Sequence, residues 1–205
     1  MKAQLKENSI ALPKPRLEGK LTVEQALKKR RTVRSFFRVP LKLAEVSQLL
    51  WAAQGITDRE GNRTSPSPGQ THAIEVYVVC GEGDDLSAGI FHYDPAAHAL
   101  ERMSDRDVRR ELGDVSCGQE WLATAPVIFV LCAVPERTEE LLGERGPRLL
   151  CMEAGHVSEN IFLQALALRL GNAIVGRFED DKVRAIVGLP AGVEPLALIP
   201  VGRTR

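Results

Sequence analysis

Residues 147–171 read PRLLCMEAGHVSENIFLQALALRLG, and this run decides the architecture. Pro147 suits the first turn of a helix and Gly171 its C-cap. Apolar side chains occupy nearly every face between them. A helix of that kind is surrounded, either by a core or by a second copy of the chain. Working outward, 127–134 (VIFVLCAV) is an unbroken apolar run and reads as a central strand. AIEVYVVC (73–80) reads as another strand, β-branched and largely buried. Residues 89–103 (GIFHYDPAAHALERM) read as a hairpin around Asp94-Pro95. A short strand AIV (173–175), the helix EDDKVRAIVG (179–188) and the strand PLALIPVG (195–202) complete the C-terminal third.

Toward the N-terminus, TVEQ is a capping-box pattern, with Thr22 as N-cap and Gln25 at N3. It opens a helix whose buried stripe is Val23, Ala26 and Leu27. A second helix lies in 41–55, where Leu43, Val46, Leu49, Leu50 and Ala53 recur at helical spacing and Gly55 follows as C′. DRDVRREL (105–112) is a short amphipathic helix. Residues 56–72 form a long polar loop. Pro13 and Pro15 mark residues 1–20 as an extended arm, free to embrace a partner subunit, ahead of a single domain over 21–205. Strands and helices alternate without a βαβα rhythm, which indicates an α+β fold.

The 205 residues suffice for one domain, with 44% hydrophobic and 26% charged residues, a globular profile. Twenty-seven basic and 27 acidic residues cancel, which argues against a chain built mainly to hold nucleic acid. The N-terminus has no continuous apolar stretch, so no signal peptide is expected. APVIFVLCAVP (125–135) is too short to span a bilayer. A cytoplasmic protein is expected. The four cysteines form no C-x-x-C pair, which excludes zinc and redox motifs; Cys80 and Cys132 read as buried thiols.

The neutral total hides one concentration of charge. Residues 28–38, KKRRTVRSFFR, hold six cations: Lys28, Lys29, Arg30, Arg31, Arg34 and Arg38. Cations at a helix C-terminus gain about 0.3–1 kcal/mol from the macrodipole, so capping is one reading. Val33, Phe36 and Phe37 pull part of the run into the core, and arginines beside them call for a partner anion. A small-anion site is the second reading and nucleic acid the third. RTSPSPGQTHA (63–73) enters a strand directly, as ligand loops often do; an ordinary surface loop is the alternative. Glu153 and His156 make a lone E-x-x-H, short of the paired motifs that a di-iron site needs. His156 is therefore read as a hydrogen-bonded core residue. GEGDDL (81–86) lacks the third glycine of a dinucleotide fingerprint.

Seven segments in order resemble one family: RRTVRSF (30–36), VSQLLWAAQGIT (46–57), RTSPSPG…EVYVV, FHYDP…HAL, GQEWLATAPVIFVL (118–131), the long helix, and VGLPAGVEPLALIPVGR (187–203). The chain resembles the nitroreductase superfamily of FMN-dependent oxidoreductases, and within it the SagB-type branch. The resemblance implies a mixed, mainly antiparallel central sheet flanked by helices. It implies a homodimer with noncovalent FMN at the subunit junctions, NAD(P)H as transient electron donor, and a small-molecule acceptor such as a nitroaromatic or quinone, with no nucleic acid or membrane partner. Arg30, Arg31, Thr32 and Arg34 correspond to the family's R-R-S-x-R grip on the FMN phosphate, ribityl chain and pyrimidine edge. Pro66, Ser67, Gly69 and Gln70 would lie along the isoalloxazine, and Gln119 at the flavin edge. Backbone N–H groups of Val175 and Gly176 would approach flavin N5 and O4. Arg203, with Arg205, falls where relatives place a phosphate-binding cation.

The sequence also departs from that branch. Its loop usually reads SAGALYP; here it is SPGQTHA, with His72 in the tyrosine position, where it could contact substrate. The azoline-oxidising members are expected to carry a Lys-Tyr pair where Leu141-Leu142 stand. Two alternatives therefore remain open: a flavin-binding protein with little catalysis, or a SagB-type dehydrogenase acting on a peptide or specialised metabolite.

Overall fold

The computed structural model describes residues 8–204, leaving the side chain of Glu140 aside. Seven strands form one sheet: β1 (Ser9–Ala11), β2 (Ile74–Cys80), β3 (Gly89–Asp94), β4 (Ala99–Ser104), β5 (Val127–Ala133), β6 (Gly171–Asn172) and β7 (Glu194–Gly202). Their order is β1-β4-β3-β2-β5-β7-β6. Every ladder is antiparallel; the parallel component among the described residues is a bridge between Thr32 and Asn172. The helices are α1 (Val23–Lys29), α2 (Leu43–Gln54), α3 (Arg109–Asp114), α4 (Glu136–Leu142), α5 (Gly146–Ala167) and α6 (Asp180–Val187).

Strand period explains the layering. Side chains alternate between faces, so an all-apolar strand must be covered twice. In β5, Phe129 and Leu131 face α2 and α5. Ile128, Val130 and Cys132 face Leu112, Leu122, Val183 and Val187 on the other side. The sheet is thus the middle of three layers. Phe129 is fully buried, and truncating such a side chain to alanine costs about 3–5 kcal/mol. Cys80 and Cys132 are buried free thiols, as their apolar runs indicate.

Several boundaries differ from the sequence reading for local reasons. Helix α5 stops at Ala167 rather than at Gly171. Arg169 takes the left-handed position (φ 61°), its N–H bonding Leu166 O while Leu170 N–H bonds Ala165 O, a Schellman closure built without glycine. Gly171 has another task. A Cβ there would strike Val33 and Thr204, so glycine lets two other segments approach β6. Gly55 follows α2 with an ordinary φ of −62°, and the Trp51 side chain occupies the space a Cβ would need. His156 is exposed on α5, not a core residue, whereas Glu153 is buried. On α1, Thr22 caps as expected, its Oγ1 accepting from Gln25 N–H. Of the anticipated stripe only Ala26 is buried; Val23 and Leu27 are 64% and 57% exposed.

The arm lies on its own chain from residue 8 onward. Strand β1 pairs with β4, Leu12 is buried, and Ser47 Oγ donates to Pro13 O at 2.6 Å. The Gln48 side chain accepts from Arg16 N–H and donates to Arg16 O. Among the described residues, no helix is long and apolar enough to cross a membrane.

Candidate functional site

The basic turn follows α1. Arg31 Nη1 donates to Arg30 O (2.7 Å) and Lys28 O (3.1 Å), so Arg31 caps the helix end. The next residues are stitched to the sheet by backbone. Val33 N–H donates to Asn172 O, Phe36 pairs with Thr204, and Phe37 N–H donates to Arg203 O. Phe36 is fully buried, 6.3 Å from the Trp121 ring, and anchors the turn. Phe37 does not share that role; it is about half exposed. On this fixed backbone the side chains of Arg30 and Arg34 have no hydrogen-bond or ion-pair partner among the described residues.

The other expected phosphate and flavin contacts divide. Arg203 lies at the same edge, but its Nη2 meets both Glu45 oxygens at 3.0 and 3.1 Å, so it is already paired. Arg205 lies outside the described residues. Val175 N–H donates to Leu198 O at 2.9 Å, and Leu198 N–H returns the bond. Its amide is therefore engaged with the sheet, which corrects the expectation that it faces the flavin. Gly176 is exposed, and its N–H has no partner among the described residues. Gln119 sits apart beside α3, its amide donating to Ser116 O. The β7 register measures the layout: Thr32 lies beside Asn172 opposite Val201, and Val175 opposite Leu198, about 10 Å along the strand.

The 66–72 loop stands at the other end of the sheet, where Ile74 pairs with Ala133 and Ala133 with Glu194. Pro68–Gln70 make one 3-10 turn. Gly69 (φ 62°), Gln70 (54°) and His72 (46°) are all left-handed, a conformation costing about 1 kcal/mol for each non-glycine residue. Pro66 is exposed. Ser67 Oγ donates to Glu153 Oε2 (2.9 Å) and accepts from His72 N–H (2.8 Å). A Cβ at Gly69 would strike the Leu141 side chain, so α4 closes directly over the loop. Arg137 fastens α4 further, donating to His72 O at 2.7 Å and pairing with Glu75.

Beneath the loop is a polar layer whose pairings the sequence does not reveal. Glu75 also meets His92 Nε2 at 2.7 Å. Burial alone would raise the Glu75 carboxyl, but His92 and Arg137 together outweigh it and hold it below the ordinary value. Burial pushes Glu153 up, against the hydrogen bond from Ser67. Burial lowers His72, helped by the nearby Arg63 and Arg137 charges. Two of these side chains are incompletely satisfied: Glu153 Oε1 and His72 Nδ1 are buried without partners. Such an atom costs about 1–3 kcal/mol. The signal was a glutamate within an apolar stretch: Glu75 in β2, and Glu153 on the buried side of α5. Among the described residues no cluster of metal-ligating side chains occurs.

Residues 27–203 match the family described as the nitroreductase family, a span holding every candidate residue except Arg205. The chain belongs to the nitroreductase family. Within the family, it is 39% identical over 183 residues to a candidate nitroreductase of Methanocaldococcus jannaschii, covering 89% of this chain and 91% of that one. A crystal structure of a candidate nitroreductase from Ralstonia eutropha superposes with a TM-score of 0.86 at 30% identity, covering 97% and 90% of the two chains. The microcin B17-processing protein McbC of Escherichia coli is 27% identical over 132 residues, 62% of this chain but only 48% of McbC. The nitroreductase fold and family thus agree with the resemblance carried by the seven segments.

Proposed function

We propose that this nitroreductase-family protein is an FMN-dependent oxidoreductase that passes hydride from NAD(P)H to a small acceptor such as a nitroaromatic or quinone. The observation that carries the reading is the pair of unpartnered guanidinium groups, Arg30 and Arg34, on a backbone fixed to the sheet edge. An arginine fork suits a phosphate because it makes two parallel charge-assisted bonds. The donor set therefore fits a phosphorylated flavin, with Thr32 supplying a hydroxyl and Gly176 a free amide farther along the same edge. Bound FMN would supply the hydride-accepting and hydride-donating chemistry at N5, which is why no protein nucleophile is needed. The chain's own part is to hold the phosphate, aim an amide at the ring and shape the acceptor side. There, Leu141 packs on the Gly69 loop and leaves an apolar rim that favours a neutral, planar acceptor.

Two copies are proposed to build each site. On one chain the 66–72 loop lies about seven β7 residues, or about 23 Å, from the basic turn. Val23 and Leu27 on α1 and Met152 on α5 leave apolar side chains more than half exposed, as a covered surface would. A groove of 1060 Å³ between residues 16–21, Trp51 and the end of α5 on the single chain includes none of the candidate flavin contacts.

An absorbance spectrum of the purified protein, before and after FMN and then after anaerobic NADPH and NADH, tests the reading. A flavin band that bleaches with either nicotinamide is expected. Protein that stays colourless with FMN, and shows no flavin-dependent nicotinamide oxidation, sinks it. Bound flavin that neither nicotinamide reduces would instead indicate a flavin-holding protein. The McbC likeness favours a second reading, dehydrogenation of a peptide or specialised metabolite. Substrate-driven bleaching without nicotinamide would select it.

A further inference from the structure

We propose that Glu153 is a positioning residue: through Ser67 it holds the 66–72 loop, and with it the His72 ring, in place. Among the described residues, Glu153 is the sole charged side chain in the buried set, on a helix otherwise packed with apolar groups. As a core residue it is poorly served, because Oε1 has no partner. Its other oxygen makes the bond that matters. The Ser67 hydroxyl has one proton, and Glu153 Oε2 takes it. That leaves a Ser67 lone pair aimed at His72 N–H, five residues on. The two bonds run in series, from α5 across the loop, and fix the rotamer of Ser67.

The segment thus closed holds Gly69, Gln70 and His72 in left-handed conformations. Conformations of that kind persist only where the surroundings over-determine them. Here the His72 peptide is held on both sides, its N–H by Ser67 and its C=O by Arg137. Removing the Glu153 acceptor frees the Ser67 hydroxyl to turn toward Thr71 Oγ1, 3.5 Å away, and loosens the N–H side. The consequence falls on the acceptor side of the site, a statement that rests on the flavin reading above. The phosphate grip, anchored at β6 and β7, is untouched.

Amide exchange of the ligand-free protein is the primary test, with Ser67→Ala, Glu153→Ala and Glu153→Gln. The alanine variants are expected to exchange the residue 72 amide about tenfold faster while β5 amides hold their protection. Glu153→Gln keeps a carbonyl for the Ser67 hydroxyl and should return most of that protection. In turnover, Glu153→Ala is expected to raise the acceptor KM about 5–10-fold, with the rate of flavin reduction by nicotinamide within about twofold of the parent. Unchanged residue 72 exchange in Ser67→Ala would overturn the proposal. So would equal acceleration in β5, which would make Glu153 a general core residue. The exchange measurement needs no flavin, so it decides this point even if FMN proves not to bind.

Discussion

At the basic turn, Arg30 and Arg34 stand on a fixed backbone, and among the described residues neither meets a counter-charge. Beneath the 66–72 loop, Arg137 meets Glu75, Glu75 meets His92, and Glu153 accepts a hydrogen bond from the Ser67 hydroxyl. Both regions place charged groups against the same sheet, at opposite ends of β7. One leaves its charges open to a ligand; the other closes them on each other. The difference separates two uses of charge. Under the proposed function, the unanswered cations are where a bound phosphate would supply the missing partner. Answered ones hold a loop in a conformation it would not keep alone.

The largest effect should come from breaking the open side. Arg30→Ala/Arg34→Ala removes two charge-assisted contacts, each of about 1.5–3 kcal/mol. Flavin affinity is expected to fall by at least about a hundredfold by fluorescence titration, while the far-UV spectrum and the melting temperature of the flavin-free protein hardly change. Each single substitution should cost about tenfold, and Lys28→Ala close to nothing. A double variant that retains flavin would mean that the open arginines are only a solvated helix end.

Breaking the closed side should do the reverse, with more stability lost than affinity. Glu75→Ala leaves Arg137 and His92 without their shared carboxylate. Arg137 is partly exposed and rehydrates, so the penalty is expected at about 1–3 kcal/mol rather than the larger value for a fully buried pair. For a chain of this length that is a drop of roughly 2–4 °C in melting temperature per kcal/mol. Flavin affinity should move less than in either arginine variant.

The two carboxyls beneath the loop also have opposite pH signatures. Glu75 titrates below its ordinary value when folded, so its contribution is present above about pH 4.3 and is lost as pH falls through the folded value. Glu153 titrates above its ordinary value. Its contribution is present below about pH 4.3 and is lost as pH rises through the folded value. Glu153→Gln cannot ionise. Its stability relative to the parent should therefore improve as pH is raised above about 4.3 and level off above the folded value, in urea melts at fixed ionic strength. A flat difference would show that Glu153 is as well solvated folded as unfolded.

Periodic features were legible in the sequence. The apolar stripe of α2, the all-apolar β5 and the Thr22 cap are local patterns, and local physics fixed them. Pairings between distant residues were not legible. Glu45 lies 158 positions from Arg203, and no composition or spacing rule points from one to the other. The resemblance put the Val175 amide at the flavin although 173–175 already read as a strand, and nothing in the sequence named Leu198 as its partner. Val23 and Leu27 fit a helical stripe, yet both remain more than half exposed on the single chain. Glu153 stood out only as part of a lone E-x-x-H, too little for a di-iron site, and nothing pointed to its partner Ser67, 86 residues away.

The smallest expected effect probes how the open side is held. Thr22→Ala removes the hydroxyl that caps α1 and should lower stability by about 0.5–1 kcal/mol, since the bond is long and exposed. If α1 alone positioned the basic turn, fraying its start would also weaken flavin binding. The turn has a second support. Val33 and Phe37 donate backbone bonds to Asn172 and Arg203, and Phe36 is buried beside Trp121. Those contacts fix Arg34 whether or not the first turn of α1 is intact, and Arg31 independently caps the end of α1 that carries Arg30. Flavin affinity in Thr22→Ala should therefore stay within about twofold of the parent. A larger loss would place the control of the grip in the helix rather than in the sheet edge.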